Sequence, residues 1–189
     1  MPSGIEVLSL SDIGFEADIE ETGTTLEENS LIKASTVAAF INDRLMNGDA
    51  ALNGVDGVFA DDTGLEIDAL GGKPGVYTAR WAGEPAANRK KALAELKGKE
   101  NRKAQFRTVI TLIRLKDGAL RLQDATLQVE GVVRGRIAEE EYGNGGFGYD
   151  PVFIPEGYDK TFGELPAEIK NSISHRSRAL AALVKVLNG

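Results

Sequence analysis

Residues 103–115 and 120–137 are two long strand-rich runs, and the turn sequence Lys116-Asp117-Gly118 stands between them. Strands joined by so short a turn must lie antiparallel, because a parallel pair needs a crossover of a dozen or so residues. An all-parallel sheet is therefore excluded. Around this hairpin the other elements follow from periodicity and breakers. Residues 5–10 (Ile5-Glu6-Val7-Leu8-Ser9-Leu10) alternate like a half-buried strand. A helix is signalled from Thr24 or Thr25, either of which can cap with Glu27 or Glu28 three residues on, to Met46 before Gly48. A buried strand at 55–60 should end in the turn Asp61-Asp62-Thr63-Gly64, with a second strand at 65–70 and a turn cluster at 71–75. A basic helix is expected at 86–96. A glycine-rich loop at 143–151 leads into a short strand at 152–154, and a helix closes the chain at about 174–187. Helices and strands mix without a strict βαβ rhythm, so the expected class is α/β with a long mixed sheet flanked by helices. No repeat, low-complexity tract or Ser/Pro-rich linker divides the 189 residues, and one continuous domain is expected.

Composition narrows the chemistry. The absence of cysteine excludes disulfides, thiolate catalysis and Cys-ligated zinc, and a single histidine, His175, excludes sites needing two. The net charge of −7 argues against broad wrapping of nucleic acid. No apolar run reaches the roughly 18 residues of a membrane span, and the first residues lack a basic-then-apolar leader, so the chain reads as cytoplasmic. The charge is uneven. Residues 1–30 hold eight acids and no base, and Lys33 is the only base before Arg44. That acidity can be a solvated face or a set of metal or catalytic carboxylates.

Several constellations can carry chemistry. Asp61 and Asp62 could converge at a turn, where two carboxylates repel unless a proton or a cation such as Mg²⁺ lies between them. One of them could equally cap backbone amides. Asp62-Thr63-Gly64 also matches the Asp-Thr-Gly of aspartic peptidases, for which a dimer would have to supply the second copy. Asn29 and Lys33 lie four apart on the first helix and so share a face, one an amide, the other a point charge suited to phosphate. Phe147 and Tyr149, set among glycines, could be flat platforms for a nucleobase or core anchors at a bulge. Lys170, His175 and Arg176 bring three donors near a helix start, suited to a carbonyl-bearing base or to phosphates, or are a surface feature. The basic stretch from Arg89 to Arg107 reads as a solvated helix face.

Read together, these segments resemble the inosine triphosphate pyrophosphatase family (non-canonical purine XTP/dITP diphosphatases). The resemblance rests on residues 20–29 with Lys33, then Phe59-Ala60-Asp61-Asp62-Thr63-Gly64-Leu65 and Gly72-Lys73-Pro74-Gly75-Val76-Tyr77-Thr78-Ala79-Arg80. It continues through Gly145-Gly146-Phe147-Gly148-Tyr149-Asp150-Pro151 and Lys170-Asn171-Ser172-Ile173-Ser174-His175-Arg176. It implies two lobes with a central cleft, a homodimer, and hydrolysis of ITP, dITP or XTP to the monophosphate and pyrophosphate with Mg²⁺. It implies Asp62 as proton acceptor and metal ligand, Glu21 or its neighbour Glu20 as the other metal carboxylate, and Asp61 and Lys33 as catalytic. Thr63, Asn29, Phe147, Gly148, Tyr149, Asp150, Lys170, His175 and Arg176 are implied as substrate contacts, small purine nucleotides being the expected partner rather than nucleic acid or membrane. It further implies that the family's opening strand and its Thr/Ser-Gly/x-Asn-x-x-Lys loop precede residue 1, with residues 5–10 matching the second strand. The domain would then be incomplete at its N-terminus. A non-catalytic nucleotide-binding relative is the alternative.

Overall fold

The structure is a computed structural model that describes residues 4–115 and 126–188. Its main elements are α1 (Leu26–Met46), β1 (Gly57–Ile67), β2 (Lys73–Gly75), α2 (Pro85–Glu95), β3 (Lys103–Arg114), β4 (Thr126–Ile137), β5 (Phe153–Pro155), α3 (Ala167–Ile173) and α4 (His175–Leu187). The fold is α/β, with the five strands in the order β2-β1-β3-β4-β5. Both edge pairings are antiparallel: Glu66 of β1 lies opposite Pro74, and Arg136 of β4 lies opposite Ile154. Among the described residues no helix is long and apolar enough to cross a membrane. The turn Lys116-Asp117-Gly118 and the start of the second run lie outside the described residues.

The chain divides into two compact units, and the divisions fall within β1, β3 and β4 and inside α4. Unit 1 takes residues 1–62, 109–129 and 182–189. Its organising element is α1, whose start is a complete capping box: the Thr25 hydroxyl accepts from the Glu28 N–H at 3.1 Å, and the Glu28 carboxylate accepts from the Thr25 N–H. Ala34, Val37, Ala38 and Ile41, at helical spacing, bury one face with Val58 of β1 and Ile113 of β3. Ile13 and Phe15 join that core, Phe15 meeting Phe40 edge-on at 5.2 Å. A buried polar contact adds register: Ser30 and Thr111 hydroxyls lie 2.6 Å apart, and Gln128 donates to both Thr111 and the Glu27 carbonyl.

Unit 2 takes residues 63–108 and 130–181. Its core combines Leu65 and Ile67 of β1, Ala104 and Phe106 of β3, Val133 and Ile137 of β4, Phe153 of β5, and Phe162. Period-2 alternation is visible in β3, where Ala104, Phe106 and Thr108 are buried while Gln105 and Arg107 reach Glu66 instead. The basic stretch is thus only in part a solvated face: Lys90, Lys97, Lys99 and Lys103 are exposed, but its arginines are engaged. Arg102 ties the Leu96 and Ile137 carbonyls together, Arg107 pairs with Glu66 and Glu130, and Arg89 holds Glu141 and the Gly148 carbonyl. Long cations whose heads find carbonyls and carboxylates close loops as well as solvating them.

Two expectations need correction, and one element was not expected. Residues 5–10 form no strand; Ile5, Val7, Leu8 and Leu10 are exposed, and alternation alone cannot hold a strand without a ladder partner. The stretch Asp61-Asp62-Thr63-Gly64 is no turn but the middle of β1, because a place beside β2 and β3 in one sheet outweighs local turn preference. The short helix α3 was not foreseen, being too brief to show a period.

Gly131 of β4 marks the tightest approach in unit 2. A Cβ there would meet the His175 carbonyl oxygen at 2.1 Å and the Ala179 amide nitrogen at 2.2 Å. Gly131→Ala should therefore overpack backbone against backbone, costing about 1–3 kcal/mol and lowering Tm by roughly 2–12 °C. Thermal melts of the two proteins check this; equal Tm values would contradict the placement of α4.

Candidate active site

In unit 1, α1 and β1 bring four sequence-selected residues together. Lys33 Nζ lies 2.8 Å from Asp62 Oδ1 and 3.1 Å from Glu21 Oε1, so one ammonium bridges two carboxylates. Asn29, one helical turn before Lys33 and fully buried, donates from Nδ2 to Asp62 Oδ2 at 3.3 Å. Its Oδ1 accepts from the Gly23 N–H at 2.8 Å. One amide therefore orients the carboxylate and fastens the irregular segment that carries Glu20 and Glu21. Gly23 is required at that contact, since a Cβ would come within 2.6 Å of Asn29 Oδ1.

Electrostatics follow from burial and pairing. Burial pushes the Asp62 carboxyl above the usual aspartate value, against the opposing pull of Lys33 and Asn29, and Glu21 adds to the rise. Lys33 is raised as well: burial disfavours its charge, but bonds and charge from Asp62 and Glu21 prevail. The site thus pairs a lysine whose charge its neighbours favour with a carboxylate whose charge burial disfavours. Asp61 precedes Asp62 along β1, and strand neighbours leave on opposite faces, so the two do not share a face as a turn would have allowed. The Asp-Thr-Gly of the aspartic-peptidase reading lies within β1 rather than at a turn, with Asp62 paired to the Lys33 ammonium.

The donor set suits a hard cation. Mg²⁺ keeps several waters and takes only one or two carboxylates beside substrate phosphates. Glu21 and Asp62 already share a positive group, and Glu20 is exposed next to them in the chain. Among the described residues no cluster of three or more His, Asp or Glu is placed to cage a metal.

Unit 2 holds the remaining candidates. Asp150 is buried, receives the Phe147 N–H and pairs with Lys170 of α3, whose ammonium also lies 6.0 Å from the Phe162 ring centroid. Gly146, at φ +83°, leaves the room Asp150 occupies; a Cβ would overlap its carboxylate. The two aromatic candidates part company. Phe147 is 81% exposed, whereas Tyr149 is 3% exposed, and its hydroxyl donates to the Thr78 carbonyl at 3.1 Å. Tyr149 is therefore a core anchor and not a base platform, and burial raises its phenol pKa. A cavity of about 240 Å³ lies along Phe147, Gly145, Gly148, Arg89, Glu141 and Pro151, smaller than the roughly 300 Å³ at which sites for whole drug-sized ligands begin. A larger hollow of about 780 Å³, lined by Lys103 of the basic stretch and by Arg134, Arg136 and Tyr158, contains none of the candidate site residues.

His175 opens α4, with Arg176 exposed beside it. The imidazole stacks on Phe106 at 4.9 Å and its Nδ1 lies 2.6 Å from the Thr108 hydroxyl, which lies 2.8 Å from that of Thr63. Phe106 and Thr108 are neighbours of the candidate residues that sequence reasoning did not single out, and Gly23 entered only as part of the motif at 20–29. A threonine two residues after a phenylalanine, on a strand face otherwise made of Ala104, Phe106, Ile110 and Leu112, was the available signal for the first two.

A model of the Ham1 family matches residues 1–186. The chain belongs to that family. Among its relatives, a protein of Bacillus subtilis (strain 168) named "dITP/XTP pyrophosphatase" is 48% identical, covering 98% of this chain and 86% of its own length. One of the same name from Flavobacterium johnsoniae is 45% identical, over 99% and 88%. Solved Ham1 structures agree: the Staphylococcus aureus Ham1 protein superposes with a TM-score of 0.82 at 38% identity, covering 97% of this chain and 87% of that one. A HAM1 protein from Coxiella burnetii gives 0.76 at 38%, over 91% and 81%. The relatives' names agree with the resemblance carried by the motifs.

Removing the Asn29 amide tests the unit 1 cluster. Asn29→Ala takes a donor from the ionised form of Asp62, so the Asp62 pKa should rise further, and it strands the Gly23 N–H, lowering stability by about 1–3 kcal/mol. Carboxyl-carbon NMR titration with thermal melts checks both; an unmoved Asp62 titration would contradict the contact.

Proposed function

We propose that this chain hydrolyses non-canonical purine nucleoside triphosphates (ITP, dITP and XTP) to the monophosphate and pyrophosphate. The observation that carries the reading is Asp62: a buried carboxylate held by Lys33 and Asn29 from one helix face, in a chain whose relatives are named dITP/XTP pyrophosphatases. Splitting a phosphoanhydride needs charge against the phosphates, a positioned water and an acceptor for its proton. Asp62 suits the acceptor, since burial raises its pKa above the usual aspartate value and two donors fix its orientation. Lys33 stays protonated and offers a point charge to a phosphate oxygen.

Glu21 and Asp62, with Glu20 at hand, would hold Mg²⁺, which when bound neutralises charge across the phosphates. In unit 2, Phe147 supplies an exposed ring for stacking on a base, Lys170 a cation steadied by Asp150, and His175 and Arg176 donors for a 6-oxo group. Selectivity against adenine follows from pairing: donors aimed at a carbonyl are left unsatisfied by an amino group, a penalty hydrophobic contact cannot supply. Tyr149 and Asp150 serve this reading by anchoring the loop.

Incubation with ITP, dITP, XTP and ATP, with Mg²⁺ and with chelator, followed by pyrophosphate measurement, tests the reading. Pyrophosphate should appear from the deaminated purines, only with metal, and scarcely from ATP. Binding of ITP without pyrophosphate would instead support a non-catalytic relative. His175→Ala and Arg176→Ala should each lower the ITP-over-ATP ratio of kcat/KM, and unchanged ratios would remove these donors from base selection.

A further inference from the structure

The hydroxyl of Thr108 lies between two partners, and it has one proton to give. It is 2.8 Å from Thr63 Oγ1 and 2.6 Å from His175 Nδ1, with the Thr108 side chain fully buried. Its two bonds are therefore coupled. If Thr108 donates to Nδ1, Thr63 must donate to Thr108, and a neutral His175 carries its proton on Nε2. If Thr108 donates to Thr63, Nδ1 must carry the proton and a neutral Nε2 becomes an acceptor. The stacked Phe106 ring, 4.9 Å away and inclined by 26°, restrains the plane of the imidazole, and Phe106 is itself packed on Phe153 at 4.7 Å.

We propose that Thr108 is a positioning residue that sets the tautomer of His175 through the hydroxyl chain Thr63 to Thr108 to Nδ1. The chain runs in the donating direction, which keeps the tautomer a free imidazole prefers and makes Nε2 a hydrogen-bond donor. Resting on the reading that His175 meets the purine, this makes the buried threonine the reason the site favours a 6-oxo over a 6-amino group. A donor matches a carbonyl oxygen, whereas the reverse tautomer would match an amino hydrogen. Thr108 touches no nucleotide in this account; it acts through the ring.

The single histidine makes the test clean, because ¹⁵N-histidine labelling of the full chain gives one pair of ring nitrogen signals. At alkaline pH without nucleotide, the wild-type protein should show a protonated Nε2 and a hydrogen-bonded, unprotonated Nδ1. Thr108→Val, equal in shape without the hydroxyl, should move the Nδ1 signal to that of an unbonded ring nitrogen, and Thr108→Ser should restore it. The ITP-over-ATP ratio of kcat/KM should fall about tenfold in Thr108→Val and recover in Thr108→Ser. A wild-type proton on Nδ1, or a Thr108→Val spectrum like the wild type, overturns the proposal whatever the protein hydrolyses. Spectra as expected, with the ratio unchanged in both Thr108→Val and His175→Ala, overturn the purine reading of His175 and the proposal with it. Should Thr108→Val fail to fold, the wild-type spectrum alone still decides the direction of the chain.

Discussion

A carboxylate removed from water must find a counter-charge, donors or a proton, and Asp62 in the middle of β1 meets that demand with Lys33 and Asn29. Much of the local structure of unit 1 follows. Both partners come from one face of α1, so the helix must start where the capping box starts it and must bury its Ala34, Val37 and Ile41 stripe to hold that face toward β1. Asn29 carries the constraint outward to Gly23, and Lys33 carries it to Glu21. The acidity of the first thirty residues thus has a specific use in at least one member, Glu21, and a capping use in another, Glu28.

The arrangement spends stability on reactivity. Asp62 has a raised folded pKa, so what it contributes to stability is present below the pKa of unfolded aspartate and is lost as pH rises through the folded value. Lys33 is also raised, and its contribution is fully present below the pKa of unfolded lysine and lost only as pH rises through its own higher folded value. At neutral pH the lysine therefore supports a charge that the fold alone disfavours. Unit 2 solves a different problem, the placement of His175 and Lys170, and does so with rings. Phe106, Phe153 and Phe162 pack in succession, with His175 on Phe106 and the Lys170 ammonium near Phe162. One aromatic column thereby locates two donors from α3 and α4.

Much of this was legible in the sequence where local rules and tertiary packing agree. The α1 cap, the shared face of Asn29 and Lys33, and the span of β3 are local or periodic features, and the structure keeps them. The motif order also led to the family. What misled was local signal without its partner. Alternation at residues 5–10 and turn composition at Asp61-Asp62-Thr63-Gly64 each gave way to the presence or absence of a ladder neighbour, which a single sequence does not display. Tyr149 and Phe147, two apart in one loop, looked equivalent until burial separated them. Thr108 was invisible because a small polar residue inside an apolar strand acquires meaning only from what it meets across space.

The central claim is that Asp62 accepts the proton of the attacking water, and the pH dependence of kcat/KM for ITP tests it most directly. The rate should fall on the acid side with an apparent pKa above that of an ordinary aspartate, and Asp62→Asn should abolish this limb while lowering the rate roughly 10²–10⁴-fold. An acid limb that persists in Asp62→Asn, or a variant retaining most of its activity, would contradict the claim.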